Sequence, residues 1–233
     1  MGRRAAHRPF VAACCAPLLL VATLVHSAAS AQGGRSQDAS VRVQARAMFD
    51  QGTSGTIGPT VLRGSFAVVN FDGIIESRRM QGQFLYRHYP FGWQLIAMSR
   101  RFRGCDYVAL GVPIREIPAL ESIGSLPARN VGCPPGNVAP PHPSRDEIAL
   151  RAIMYQHMPH FLIGPVVVVG SYALVGWANH GSGGHVFRKR HGAWHQIAGG
   201  GGYLRPSELV HLGVPPATAQ LLDHRYRMAD SNI

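Results

Sequence analysis

The segment IGPTVLRGSFAVV at residues 57–69 returns, 106 residues further along the chain, as IGPVVVVGSYALV at residues 163–175. At a spacing of 101 residues the likeness continues through five matched pairs: Gly82 and Gly183, Arg87 and Arg188, Trp93 and Trp194, Ile96 and Ile197, Ala97 and Ala198. It ends in the tetrapeptide LGVP, at residues 110–113 and 212–215. A repeat of about 80 residues has the size of a small domain, so the pattern indicates an internal duplication.

Each copy carries the sequence signals of a helix, two hairpins and a closing pair of helices. An apolar stripe at helical spacing predicts the opening helix of copy one, at Val41, Ala45, Met48 and Phe49, and a capping box starting at Ser144 predicts that of copy two. Strand-like runs flank the Gly-Ser pairs of the repeated segments and form the first hairpins. Further runs predict the second hairpins, at residues 83–89 with 93–98 and 185–190 with 194–198. Glycine and proline punctuation predicts the closing helices, at residues 106–110 and 113–122 in copy one and 207–211 and 216–228 in copy two.

These elements predict an α+β fold of two tandem repeats, each with a helix, a four-stranded antiparallel sheet and a closing helix pair. We place repeat 1 at residues 40–122 and repeat 2 at residues 144–228, with the proline-rich segment 123–143 as the linker. The helices are expected against one face of each sheet. Trp93 and Trp194 occupy equivalent strands and are expected to anchor the cores. Whether the two sheets join into one body or stay apart is left open.

Residues 1–31 have the pattern of a secretory signal peptide. Arginines come first, an apolar run follows over residues 9–25, and the small residues Ala29 and Ala31 favour cleavage after Ala31. The remainder contains no apolar run long enough to cross a bilayer. We therefore expect a periplasmic or secreted protein without a transmembrane segment after cleavage.

Cleavage would leave two cysteines, Cys105 and Cys133. Because exported proteins mature in an oxidising compartment, this pair is expected to form a disulfide. Closing a loop of about 29 residues would stabilise the fold by about 3 kcal/mol. Two free thiols are the alternative.

The chain is strongly basic, with 23 lysines and arginines against 12 acidic residues. The densest clusters lie at residues 78–79, 100–103 and 188–190, and such clusters bind acidic proteins or anionic envelope components. A solvated surface without a partner explains the same charge. Nucleic acid is not an expected partner of an exported protein.

The segment IMYQHMPH at residues 153–160 concentrates candidate metal ligands. Met154, His157, Met158 and His160 combine thioethers with imidazoles, the ligand types that suit copper. Pro159 ends the predicted helix, so His160 would approach through a turn. The alternative is that the methionines belong to the core and the histidines decorate a helix end.

Two glycine-rich stretches contain residues found in catalytic or phosphate-binding loops, but the surrounding motifs of such loops are missing. Ser182 and the histidines of the segment HGSGGH, residues 180–185, lack the strand-to-helix setting of a serine hydrolase, and we expect a flexible turn there. The run Gly199–Gly202 lacks a phosphate loop's partners and is expected to let the chain leave a strand. With no catalytic motif present, the chain is not expected to be an enzyme.

Several motifs of copy two resemble the copper uptake system-associated proteins, a family of small exported bacterial proteins. They are Gly164-Pro165 with the following valines, Gly170-Ser171-Tyr172-Ala173, Trp177, Gly183-Gly184, Phe187-Arg188, Trp194 and Leu212-Gly213-Val214-Pro215. The likeness covers about residues 145–222 and implies an exported location and a link to copper. It implies no catalytic residues. Where the family places a cysteine after the tryptophan strand, this chain has Ala198-Gly199-Gly200.

The sequence therefore favours a non-enzymatic exported binding protein associated with copper handling in the bacterial envelope. The alternative is a basic, inhibitor-like module that binds an acidic protein or envelope component without a metal.

Overall fold

The computed structural model describes residues 36–49, 54–75, 78–122, 142–179 and 181–230. The described residues from Ser40 onward belong to one compact unit. The predicted signal peptide and residues 123–141 of the predicted linker lie outside the described part. In that part no helix has the length and apolar character needed to span a membrane.

Repeat 1 contains one helix, four strands and a short helical ending. Its elements are α1 (residues 36–47), β1 (Gly55–Arg63), β2 (Phe66–Ile75), β3 (Arg78–Tyr89), β4 (Gly92–Ser99), α2 (Gly104–Ala109), a 3-10 turn (Ile114–Glu116) and α3 (Ile117–Glu121).

Repeat 2 has the same order of elements with a longer final helix. Its elements are α4 (Arg145–His157), β5 (Leu162–Val169), β6 (Tyr172–Ala178), β7 (Ser182–Arg190), β8 (Ala193–Gly201), α5 (Pro206–His211) and α6 (Pro216–Asp230). The Ser144 hydroxyl accepts a hydrogen bond from the Glu147 amide at 3.0 Å, so the predicted cap begins α4.

Each repeat forms a four-stranded antiparallel sheet with its strands in chain order. The predicted α+β fold of two tandem repeats is confirmed. Gly64 and Gly170 adopt positive φ angles of 54° and 59° at the first hairpin turn of each repeat. Glycine adopts this conformation without steric cost, which accounts for the repeated Gly-Ser pair.

Strand register is the same in the two sheets. Phe71 pairs with Gly82 in sheet 1, and the matched residues Trp177 and Gly183 pair in sheet 2. The outer strands β1 and β5 each carry a bulge at the Ile-Gly-Pro segment, and the second hairpins carry bulges at matching positions. The duplication read from the sequence is thus a duplication of backbone geometry.

Helices cover both faces of each sheet, so the expectation of helices on one face was wrong. In repeat 1, α1 packs its buried residues Val41 and Ala45 on one face, together with Phe49 of the turn that follows, and the closing helices pack on the other. In repeat 2, α4 covers one face while α5 and α6 cover the opposite one. The strands are apolar on both sides because both faces are buried. Trp93 and Trp194 are buried, as predicted.

The two repeats belong to one body, in which β4 lies beside β5. Arg151 of α4 is buried between them and donates hydrogen bonds to the side chain of Gln94 in β4 at 3.1 Å and to the carbonyl of Ile163 in β5 at 3.1 Å. Its Nε atom donates to Glu147 at 2.9 Å. The Gln44 side chain also donates to the Tyr155 hydroxyl at 2.7 Å. These polar contacts fix α4 against both sheets.

Two glycine-rich stretches lie in strands rather than in the expected turns. Gly183, Gly184 and His185 belong to β7, and Gly199–Gly201 belong to β8, which the chain leaves at Gly202. Strand pairing overrides the local flexibility of glycine here, because Gly183 and Gly184 pair with neighbours on both sides.

Candidate functional site

The predicted metal ligands lie at the end of α4 and in the turn that leads into β5. Met154 is 1 % exposed and packs on the α4-facing side of sheet 2. Met158 ends the helix, with its amide donating to the Met154 carbonyl at 2.7 Å, and its side chain packs against the same apolar cluster. The structure therefore places both methionines in one cluster.

The two predicted histidines differ in their surroundings. His157 lies in the last turn of α4 and is exposed. His160 is half-buried, and its Nδ1 atom is buried without a hydrogen-bond partner. Buried imidazole nitrogens are nearly always hydrogen-bonded, so an orphaned one needs an explanation. Of the two, His160 is the one with a buried ring nitrogen that lacks a partner among the described residues.

Sequence reasoning missed two further side chains on this face, Trp177 in β6 and His185 in β7. The rings of Phe161 and Trp177 lie 5.5 Å apart, and those of Trp177 and His185 lie 6.4 Å apart. Trp177 and Phe161 pack against the cluster that contains Met154. This places a second histidine in the neighbourhood of the predicted ligands.

Trp177 and His185 also carry orphaned polar atoms. Neither Trp177 Nε1 nor His185 Nδ1, both buried, has a hydrogen-bond partner. A Cβ atom placed at Gly199 would lie 2.5 Å from His185 Nδ1, so this nitrogen faces bare glycine backbone. A buried polar atom without a hydrogen bond lowers the stability of the fold by about 1–3 kcal/mol. Apolar side chains would fill these two positions without that cost, so packing does not explain why a tryptophan and a histidine are present.

Trp177 and His185 can be recognised in the sequence because they differ from the matching residues of repeat 1. At the spacings of the duplication, Trp177 corresponds to Phe71 and His185 to Phe84. The ring centroids of Phe71 and Phe84 lie 4.2 Å apart in a stacked arrangement, and that of Phe49, in the turn after α1, lies 5.8 Å from that of Phe71. Repeat 1 thus fills this end of the face with phenylalanines, where repeat 2 has a tryptophan and a histidine.

The chemistry available at this end of repeat 2 comes from thioether sulfur and imidazole nitrogen. Thioethers bind Cu(I), and imidazole binds copper in either oxidation state, so the residue types fit this metal. Within the described ranges, no group of three or more His, Cys, Asp or Glu side chains is placed to hold a metal ion. A metal here would therefore depend on methionine sulfur.

A polar contact fixes the other end of the same face. Asp146 in the first turn of α4 accepts hydrogen bonds from Lys189 and from Trp194 Nε1. The hydrogen bond from Lys189, followed by that from Trp194, holds the pKa of Asp146 below its usual value. This contact positions α4 over the sheet and anchors Trp194.

Cys105 lies in α2, and Cys133 lies outside the described residues. The predicted disulfide between them stays a prediction.

The basic clusters predicted from the sequence differ in exposure. Arg100, Arg101 and Arg103 are exposed after β4. Arg188 and Lys189 are half-buried, and Lys189 pairs with Asp146. The segment after β4 is therefore the more accessible of these two clusters.

The chain matches no protein-family model, no curated protein and no solved structure.

Proposed function

We propose that this protein is a non-enzymatic binding protein, exported to the bacterial envelope and associated with copper handling. The signal-peptide pattern supports export. The resemblance of residues 145–222 to the copper uptake system-associated proteins supports the link to copper. The observation that carries the proposal is a pair of buried imidazole nitrogens, on His160 and His185, that have no hydrogen-bond partner among the described residues. His185 lies beside Trp177, which packs in the cluster that contains Met154 and Met158.

The proposed ligands differ in how directly they support the binding of copper. Met158 and His160 are the strongest of the predicted set, because both are only partly buried and lie in the turn after α4. Met154 is closed inside the core and would need its neighbours to move. His157 is a ligand only if the end of α4 rearranges. We add His185 to the proposed copper ligands. The indole ring of Trp177 lies beside it and would limit the access of water.

Titration with Cu(I) under anaerobic conditions, against a competing chelator, tests this proposal. We expect one tight equivalent in the purified protein. His160→Ala and His185→Ala should each weaken binding by at least about tenfold, the effect of losing about 1.4 kcal/mol. His157→Ala should have a smaller effect.

His195→Ala is the matched control, since His195 lies in β8 of the same repeat and is exposed. It should leave Cu(I) affinity unchanged. Equal affinity in all four variants would assign the copper to another part of the chain and end the proposal for this site. Circular dichroism of each variant would separate a lost ligand from a lost fold.

Exposed arginines support a second candidate, a basic module that captures an acidic partner. Arg100, Arg101 and Arg103 form an accessible cluster, and the side chain of Arg79 is also 76 % exposed. Capture from envelope extract at two salt concentrations tests it, because electrostatic binding weakens as salt rises. Capture that is independent of salt and of these arginines would contradict it.

A further inference from the structure

The faces that carry the closing helices differ between the two sheets. In sheet 2 a row of glycines crosses four strands, at Gly164, Gly176, Gly184 and Gly200. Helix α6 lies against this side, and a Cβ atom placed at Gly176 would be 2.1 Å from the Tyr226 hydroxyl. Only glycine allows this approach. Tyr226 belongs to α6, and its partial burial against the sheet raises the pKa of its hydroxyl to about 12.

Sheet 1 has side chains at three of the four positions of this glycine row, and Gly58 matches the fourth, Gly164. At the spacings of the duplication, Asn70 corresponds to Gly176, Gln83 to Gly184 and Ser99 to Gly200. The register agrees, because Asn70 pairs with Gln83 just as Gly176 pairs with Gly184. A helix cannot approach this part of sheet 1 as α6 approaches sheet 2.

The final helix of repeat 1 is also too short to cover the region. Helix α3 has 5 residues, whereas α6 has 15. Among the described residues, the uncovered end of sheet 1 forms an open groove of about 500 Å³. Its lining is mainly polar and consists of Thr56, Gly58, Asn70, Phe71, Asp72, Gln81, Gly82, Gln83, Arg100 and Arg101.

Hydrogen bonds hold the floor of the groove in a fixed arrangement. Gln83 is 7 % exposed, donates to the Asn70 side chain at 3.1 Å and accepts from the Phe102 amide at 2.9 Å. Asp72 accepts from Arg79 at 3.0 Å and from Gln81 at 2.9 Å. These bonds, first from Arg79 and then from Gln81, hold the pKa of Asp72 below its usual value. The floor is therefore preorganised for a ligand.

The groups left for a ligand are mostly donors. Within the described structure the amide nitrogen of Asn70 and the guanidinium of Arg100 donate to no side chain or backbone group. Asp72 already faces Arg79, so its charge is balanced, while the exposed Arg100 adds positive charge at the rim. A donor-rich, positive groove favours a ligand with hydroxyl oxygens and a negative charge.

We propose that this groove binds a small hydroxylated anion of the sugar-acid class. The volume is within the range of small-ligand sites and accommodates one or two sugar rings. Asn70, Gln81 and Asp72 offer the mixture of donors and acceptors that hydroxyl groups need, and Arg100 meets the carboxylate. This site is independent of the copper site proposed for repeat 2, since it lies on another sheet and on the face of the closing helices.

Isothermal titration of the purified protein with glucuronate, glucose and acetate tests the proposal. Glucuronate combines hydroxyls with a carboxylate, whereas glucose and acetate each carry one of these features. We expect glucuronate to bind at least about tenfold more tightly than either of the others. Equal or absent binding of all three probes would overturn the proposal.

Arg100→Ala and Asn70→Ala should each weaken glucuronate binding by about tenfold, the loss expected for one hydrogen bond to a charged or polar group. Arg190→Ala is the matched control, because it removes the same charge from an exposed position of repeat 2. It should leave affinity unchanged. An equal loss in Arg190→Ala would show that net charge alone attracts the anion and would contradict the assigned groove. Arg100 is exposed, so its removal is not expected to impair folding.

Discussion

The two repeats share their strand register and bulges, but their side chains differ at one end of the sheet, and this end is the same in both repeats. On the opening-helix face, repeat 1 stacks Phe71 and Phe84, where repeat 2 has Trp177 and His185. On the closing-helix face, repeat 2 has glycines under α6, where repeat 1 has a polar groove. The duplicated scaffold thus supports two different candidate sites on opposite kinds of face.

The largest expected difference between the repeats lies in the arginine that contacts the bulged outer strand of each sheet. Arg42 donates to the Gly58 carbonyl at 2.9 Å, and Arg151 donates to the equivalent segment at Ile163. Arg151 is also buried against Gln94. We expect Arg151→Met to lower the free energy of unfolding by about 3 kcal/mol, because it removes one partner of a buried ionic network.

Arg42→Met, at the partly exposed position, should cost only about 1 kcal/mol. Urea unfolding measures both changes. Equal losses would mean that the contact of Arg151 with Gln94 adds nothing and that the repeats are joined by other contacts.

Gly176→Ala tests whether glycine is what allows α6 to approach sheet 2. The new methyl group would collide with the Tyr226 hydroxyl, so we expect a loss of about 2 kcal/mol, typical of overpacking. Asn70→Ala at the matched position of repeat 1 should cost about 1 kcal/mol or less, since only one hydrogen bond is lost.

The double variant Gly176→Ala with Tyr226→Phe should recover part of the stability, because the colliding oxygen is gone. Thermal unfolding measured on all three proteins gives the answer. No recovery in the double variant would show that α6 is displaced for another reason.

Exchange of the divergent aromatic positions tests the opening-helix face. Phe84→His places a polar ring in the stacked cluster and should lower the free energy of unfolding by about 2 kcal/mol. His185→Phe removes an orphaned nitrogen and should leave stability unchanged or raise it by about 1 kcal/mol. Chemical denaturation compares the two. A marked loss in His185→Phe would mean that the imidazole has a structural role, which would weaken its assignment as a ligand.

The smallest expected effect is on acid stability. The pKa of Asp146 is lowered in the folded protein, so its ionised form stabilises the fold above its ordinary pKa of about 4, and this contribution is lost as the pH falls through the folded value. Asp146→Asn should therefore reduce stability at pH 7 and flatten its dependence on pH below about 4. Melting temperatures from pH 3 to pH 7 measure this. A slope unchanged from that of the unmodified protein would show that Asp146 contributes nothing. In the described part of repeat 1, Trp93 Nε1 has no hydrogen-bond partner, so no matching acid effect is expected there.

Local signals predicted much of the fold. The matched spacings gave the duplication, the Gly-Ser pairs gave the first hairpins, and Ser144 gave the start of α4. The expected turn at Gly183 and Gly184 failed, because pairing with β6 and β8 holds these glycines in a strand. The placement of helices on both faces was not predicted, although strands that are apolar on both sides are typical of sheets with both faces buried.

The candidate sites were less accessible to sequence reasoning. Met158 and His160 were found because they lie close together along the chain. Trp177 and His185 were not grouped with them, and the groove between Asn70 and Arg100 joins residues from separate strands and the segment after β4. Aligning the two repeats residue by residue would have shown that these positions differ.

The sequence by itself determined that the chain contains two copies of one α+β unit, because hydrophobic periodicity, turn residues and caps act over a few neighbouring positions. Only the tertiary structure decided that both faces of each sheet are covered, that Arg151 joins the repeats, and that the approach of α6 requires glycine at position 176. These features depend on which distant side chains meet and at what separation. The separation of 2.1 Å between a Gly176 Cβ and the Tyr226 hydroxyl is set by packing across the whole repeat, and no local pattern encodes it.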